Sequence, residues 1–144
     1  MDLKEALSKL QRNKDFLKWK GKNKNTFLSY AFKIPEEMGY DNWQIGFYNK
    51  RKDKITTFIM ESENVRINPA QEVFKKNSIK VNEIDISKVS LSLEAAIEKA
   101  DEFQKKNLPR ENNVKTIVIL QNMAKLGNVW NITYLTDAFN TLNM

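Results

Sequence analysis

A chain of 144 residues with 41% hydrophobic and 29% charged residues suits one compact domain, or two small units sharing a core. It contains no Cys and no His, which excludes disulfides, thiolate metal sites, a cysteine nucleophile and the commonest general base. The formal net charge of +6 is local: residues 1–60 hold 13 Lys/Arg against 7 Asp/Glu, whereas residues 61–144 hold 11 of each.

Leu3, Ala6, Leu7, Leu10 and Leu17 recur at near three-to-four spacing and predict one amphipathic helix ending at Gly21. Asp2 is its expected N-cap, with Glu5 three residues on. Lys9, Arg12, Lys14, Lys18, Lys20, Lys22 and Lys24 accumulate towards its end, where cations meet the negative pole of the helix dipole. A strand is expected over Phe27–Ile34, with Leu28, Tyr30, Phe32 and Ile34 on one face. A loop follows over 35–42. Trp43–Tyr48 and Ile55–Met60 then flank a polar turn and read as a hairpin. Asn68-Pro69 is a helix-opening pair, so a short helix is expected from there to about Lys76. The alternation across Ile79–Ile86 suggests an extended edge segment.

Ser92 is the expected cap of the next helix, whose apolar stripe is Leu93, Ala96, Ile97, Ala100 and Phe103, with Pro109 beyond its end. Strands are expected over Val114–Leu120 and Val129–Leu135 around a Gly-containing turn, and a last one is expected to begin within 138–144. The two halves can be superposed. An offset of 87 residues sets Trp43, Ile45 and Phe47 on Trp130, Ile132 and Tyr134, and Ile55 on Leu142. An offset of 90 sets Asp2, Leu3, Ala6 and Leu7 on Ser92, Leu93, Ala96 and Ile97. The expected organisation is an internal repeat of helix–strand–strand–strand units at 1–64 and 90–144, joined by a connector at 65–89, within one compact α+β domain with helices on an antiparallel sheet.

Residues 90–144 resemble a PepSY domain through Ser92-Leu93-Glu94-Ala95-Ala96, Gly127 and Trp130-Asn131-Ile132-Thr133-Tyr134. Residues 1–64 resemble it more loosely, since Ala6 is single and Gly46 lies within a strand. The Asp-x-x-x-Gly turn that usually follows the family's last strand has no counterpart within the 144 residues. The resemblance implies a somewhat cystatin-like fold of helices packed on an antiparallel sheet. It also implies a non-catalytic module of the kind found in protease propeptides and membrane-associated proteins, with proposed roles in restraining or inhibiting peptidases.

The residues offer little for catalysis. No Ser-x-x-Lys occurs, and Gly21, Gly39, Gly46 and Gly127 are too scattered for a phosphate-cradling loop. Glu94, Glu98, Asp101 and Glu102 have helical spacing that could hold a divalent cation through oxygen, but a solvated helix face is the preferred reading. No metal, cofactor or catalytic residue is therefore expected. The candidate partner-binding stretch is Lys14, Lys18, Trp19, Lys20, Lys22 and Lys24. Lysines around an aromatic could track a phosphate backbone while Trp19 stacks on a base, or could meet an acidic protein or lipid surface. The alternative is a lysine-rich helix end with Trp19 tucked against the sheet. Trp43, Ile45, Phe47, Trp130, Ile132 and Tyr134 are assigned to the core rather than to a ligand platform.

The expected function is non-catalytic contact with a protein or peptide, in its sharper form restraint of a peptidase. The alternative is a basic single-strand nucleic-acid binder using Lys18–Lys24. No apolar run reaches the roughly 18–20 residues that span a bilayer. Met1–Glu5 lacks the charge and apolar centre of a signal peptide. As it stands the sequence reads as cytoplasmic, and as extracytoplasmic if a leader or anchor was removed.

Overall fold

The computed structural model describes residues 2–35, 43–61, 64–72, 80–137 and 141–143. Its α+β architecture is a seven-stranded antiparallel sheet with three helices. The chain runs α1 (Leu3–Gln11), α2 (Lys14–Lys22), β1 (Thr26–Lys33), β2 (Gln44–Asn49), β3 (Lys54–Met60) and β4 (Val65–Glu72). A 3-10 turn (Ile86–Lys88) leads to α3 (Leu93–Asn107), β5 (Asn113–Met123), β6 (Gly127–Thr136) and β7 (Thr141–Asn143). Strand order across the sheet is β4-β3-β2-β1-β5-β6-β7, so each half lays its strands outward from a central β1·β5 pair.

The helices cover one face. Leu3, Ala6, Leu7 and Leu10 of α1, Phe16 of α2, and Leu93, Ala96 and Ala100 of α3 share one core with Ala31, Trp43, Ile45, Phe47, Phe58, Met60, Val118, Leu120, Ile132 and Tyr134. Those strand residues alternate along β2, β3, β5 and β6, as the pleat requires of a single buried face. Trp43, Phe58, Ile45, Leu120 and Tyr134 are almost completely buried. Area removed from water dominates the stabilisation, at about 1.5–3 kcal/mol for each fully buried large side chain.

The first helical region differs from expectation. It is two helices, because Asn13 breaks the run: its side-chain oxygen accepts the Phe16 backbone N–H at 3.0 Å and caps α2. The break rephases the apolar stripe. Phe16 and Trp19 turn inward, and Leu17, expected on the stripe, is 54% exposed. The caps expected of the other helices hold, with the Asp2 carboxylate accepting from Glu5 N–H at 2.8 Å and Ser92 Oγ accepting from Ala95 N–H at 3.1 Å.

The connector also departs from the sequence reading. Asn68-Pro69 lies within β4, not at the start of a helix. β4 is the outermost strand, the place where a residue without an N–H is tolerated. Of the expected helix, 73–76 fall outside the described residues, as do 36–42 of the loop and Ile79. Lys80–Asp85 is irregular rather than a strand, held by Ile84, which is buried and donates its N–H to Leu28 O at 2.8 Å.

In β1 a bulge between Leu28 and Tyr30 resets the alternation. Leu28 and Ala31, opposite Phe47 and Ile45, face the helices, whereas Tyr30, opposite Gly46, faces the other side. Gly46 is required there: a Cβ on it would lie 1.9 Å from a Tyr30 ring carbon. The ring crosses Gly46 so that its hydroxyl reaches Thr57 Oγ1 at 2.6 Å, bridging three strands.

At the β1·β5 seam, Ala31, Phe32 and Lys33 pair with Leu120, Ile119 and Val118. The 87-residue offset carries Ala31, Phe32 and Lys33 onto Val118, Ile119 and Leu120. Phe32 therefore pairs with its own counterpart, and the flanking pairs exchange. The same offset relates Ala31–Ile45 to Val118–Ile132. It does not relate Ile55 to Leu142 in register, because Leu142 faces Tyr134 whereas Ile55 faces Tyr48, one residue past Phe47. Trp43 and Trp130 meet with ring centroids 6.2 Å apart.

Candidate functional site

The lysine-rich stretch is divided by the fold. Trp19 packs edge-on against Phe47 and Phe58, with centroids 5.9 and 4.9 Å away, and against Phe16 at 6.1 Å. Its ring belongs to the core margin and is not presented for base stacking. Lys20 turns back as well. Its ammonium donates to Thr26 O at 2.6 Å and Thr26 Oγ1 at 3.0 Å, and lies 5.8 Å from the Phe47 ring centroid. Partial burial lowers its pKa from the ordinary lysine value, partly offset by Glu83. Lys14, Lys18, Lys22 and Lys24 remain exposed. Among the six residues assigned to the core, Trp43, Ile45, Phe47, Ile132 and Tyr134 are buried, and Trp130 is half-buried.

Trp130 leads to a concavity that the sequence reading did not single out. It has a volume of about 630 Å³ and lies between α3, the start of β6 and the segment 88–91. That volume falls in the range of roughly 300–1,000 Å³ usual for ligand pockets. Ala96, Ala100 and Phe103 form one wall from α3, at the three-to-four spacing of a single helix face. Trp130 and Ile132 form the floor, and Val89 and Leu91 close one end. The Trp130 indole N–H donates to Leu91 O at 2.8 Å, which fixes both ring and closing segment.

The polar groups are few and one-sided. Lys88 and Lys99 stand exposed at the rim, and among the described lining residues there is no Asp or Glu. Asn128 also lines the groove, and its side-chain oxygen is buried with no hydrogen-bond donor among the described residues. Asp101, weighed from sequence as a possible cation ligand, instead accepts a hydrogen bond from the Tyr134 hydroxyl and ties α3 to β6.

One edge of the groove is backbone. β7 pairs with Thr133, Tyr134 and Leu135 of β6. Among the described residues no strand lies beside Gly127–Ile132 on that side. An unpaired strand edge presents N–H and C=O groups that another strand can satisfy.

The one sequence signal for this site was Phe103. Placed on the buried stripe of α3 by spacing, it is 57% exposed in the structure, while Gln104 is buried in its stead. Gln104 is held inside by reciprocal amide bonds with Asn113 at 2.6 and 2.7 Å. An aromatic at a core-phased position that the fold leaves uncovered is therefore a groove wall. Comparison of the chain with protein-family models, curated proteins and solved structures found no match.

Proposed function

We propose that this chain is a non-catalytic protein- or peptide-contact domain, built from two related PepSY-like units, and that the groove between α3 and β6 is its contact site. The observation that carries the reading is the apolar groove walled by Ala96, Ala100 and Phe103 over Trp130 and Ile132, in which an aromatic is left 57% exposed. The two-unit origin is supported by the offset that reproduces the seam register and by the contact between Trp43 and Trp130. In its sharper form, which follows the PepSY resemblance, the bound segment belongs to a peptidase that the domain restrains.

The nucleic-acid alternative loses its stacking platform, since Trp19 and Lys20 point inward, and keeps only exposed lysines on α2 and the turn after it. Selection of binders from a displayed random-peptide library tests the two readings together. The expected winners bind wild type and lose binding to Phe103→Asp, a change at an exposed position that spares the core. Peptides indifferent to Phe103→Asp, or a chain that binds single-stranded nucleic acid with steep salt dependence and no peptide, would overturn the proposal.

A further inference from the structure

We infer that the face of the sheet turned away from the helices is a self-association surface, on which a second copy of this chain packs sheet to sheet. Register sets Ile59, Phe32 and Ile119 in one row across that face, with Tyr30 and Ile117 on either side of the row. All three helices lie on the opposite side, with the core. An antiparallel sheet that leaves one face in water alternates apolar and polar residues along its strands. Here the alternation fails. Ile117-Val118-Ile119-Leu120 of β5 is apolar on both faces, and in β3 Ile59 stands between the core residues Phe58 and Met60. Strands of that kind belong to sheets covered on both sides. Phe32, Ile117 and Ile119 are half-buried and still offer surface to a further layer.

The polar groups of this face are prepared for burial. The Tyr30 hydroxyl is already bonded to Thr57 Oγ1 at 2.6 Å, so covering the ring strands no donor. The ring crosses Gly46 instead of projecting from the sheet, which keeps the face flat. Charge lies at the margin. Among the described residues that register assigns to this face, the charged ones are Arg66 of the outermost strand β4, paired with Glu61 at 3.0 Å, and Lys115 near the start of β5. The centre therefore selects another uncharged apolar face rather than a partner of opposite charge.

The area is sufficient for a second copy. Strands β3, β2, β1, β5 and β6 lie about 4.8 Å apart and share about six residues of length at about 3.3 Å each, so the face measures roughly 500 Å². Two copies together bury about 1,000 Å², which reaches the size of a specific interface. Their sheets would stack about 10 Å apart with strand directions within about 30°.

Sedimentation equilibrium from about 1 to 200 μM, with thermal melting over the same range, tests the inference. The wild type is expected to dimerise and its melting temperature to rise with concentration. Ile119→Lys places a charge at the centre of the face, and Gln121→Lys places one beside Tyr30 at a half-exposed polar position that spares the core. Each is expected to weaken the dimer about tenfold or more, and Gln121→Lys decides if Ile119→Lys fails to fold. Phe103→Asp, in the groove, should leave the dimer unchanged, so the two surfaces stand or fall separately. A wild type that stays monomeric throughout, or a dimer kept in Gln121→Lys and lost in Phe103→Asp, would overturn the inference.

Discussion

The two halves of the sheet bury the same kind of strand in different ways. In the first, β2 is flanked along its length by β1 and β3, and its inward Phe47 meets Phe16 and Trp19 from α2. In the second, β6 carries the matching Trp-x-Ile-x-aromatic row, but α3 sets Ala96, Ala100 and the exposed Phe103 beside its start, and β7 pairs with Thr133–Leu135. The same pattern of residues therefore makes closed core on one side and an open groove on the other. What decides between them is the neighbouring layer, not the strand.

Truncating the paired tryptophans should have the largest effect. Trp43→Ala should destabilise by about 3–5 kcal/mol, since its ring is fully enclosed. Trp130→Ala should cost about 1–2 kcal/mol, because its ring is part-exposed and gives up one hydrogen bond. Chemical denaturation of both variants measures the difference, and equal losses would mean that the second half is as closed as the first.

Gly46→Ala comes next. Its new methyl group collides with the Tyr30 ring, at an expected cost of about 1–3 kcal/mol. The same change combined with Tyr30→Ser should recover part of that loss, whereas an unchanged loss would place the strain elsewhere.

A smaller effect separates the lysines. Lys20 has a lowered pKa through burial, so the folded state binds fewer protons than the unfolded one and stability rises with pH between the lowered value and the ordinary 10.5. Tyr30, raised above 10.0 by burial, acts in the opposite direction above about pH 10. Lys20→Met should remove the rise in a denaturation series across pH 8–10, and persistence of the rise would assign it to another group. The smallest effect is expected from replacing Lys14, Lys18, Lys22 and Lys24 together by Ser, which should change stability by no more than about 0.5 kcal/mol and leave peptide binding intact. Loss of peptide binding in that variant would move the contact site to α2.

Much of the fold was legible in the sequence because its signals are local. Asp2 and Ser92 mark helix starts by their capping chemistry, and the rows Trp43–Phe47 and Trp130–Tyr134 mark buried strand faces by their period of two. The failures share a cause, which is competition between local signals that only the fold resolves. Asn13 could be a mid-helix polar residue or a cap. Asn68-Pro69 could open a helix or sit on a sheet edge, and the pairing of Val65 and Ile67 with Met60 and Phe58 of β3 favours the edge. The bulge near Ser29 carries no composition signal. The groove was the least legible feature. It arises from small residues on α3 and from the reach of β7, and spacing rules read Phe103 as core.

Hydrogen exchange with and without a peptide selected for binding separates the groove from α2. Slowed amide exchange is expected in the segment 88–91, along α3 and at the start of β6. Unchanged exchange in all three, with protection falling instead on the lysine-rich stretch from Lys14 to Lys24, would refute the groove as the contact site.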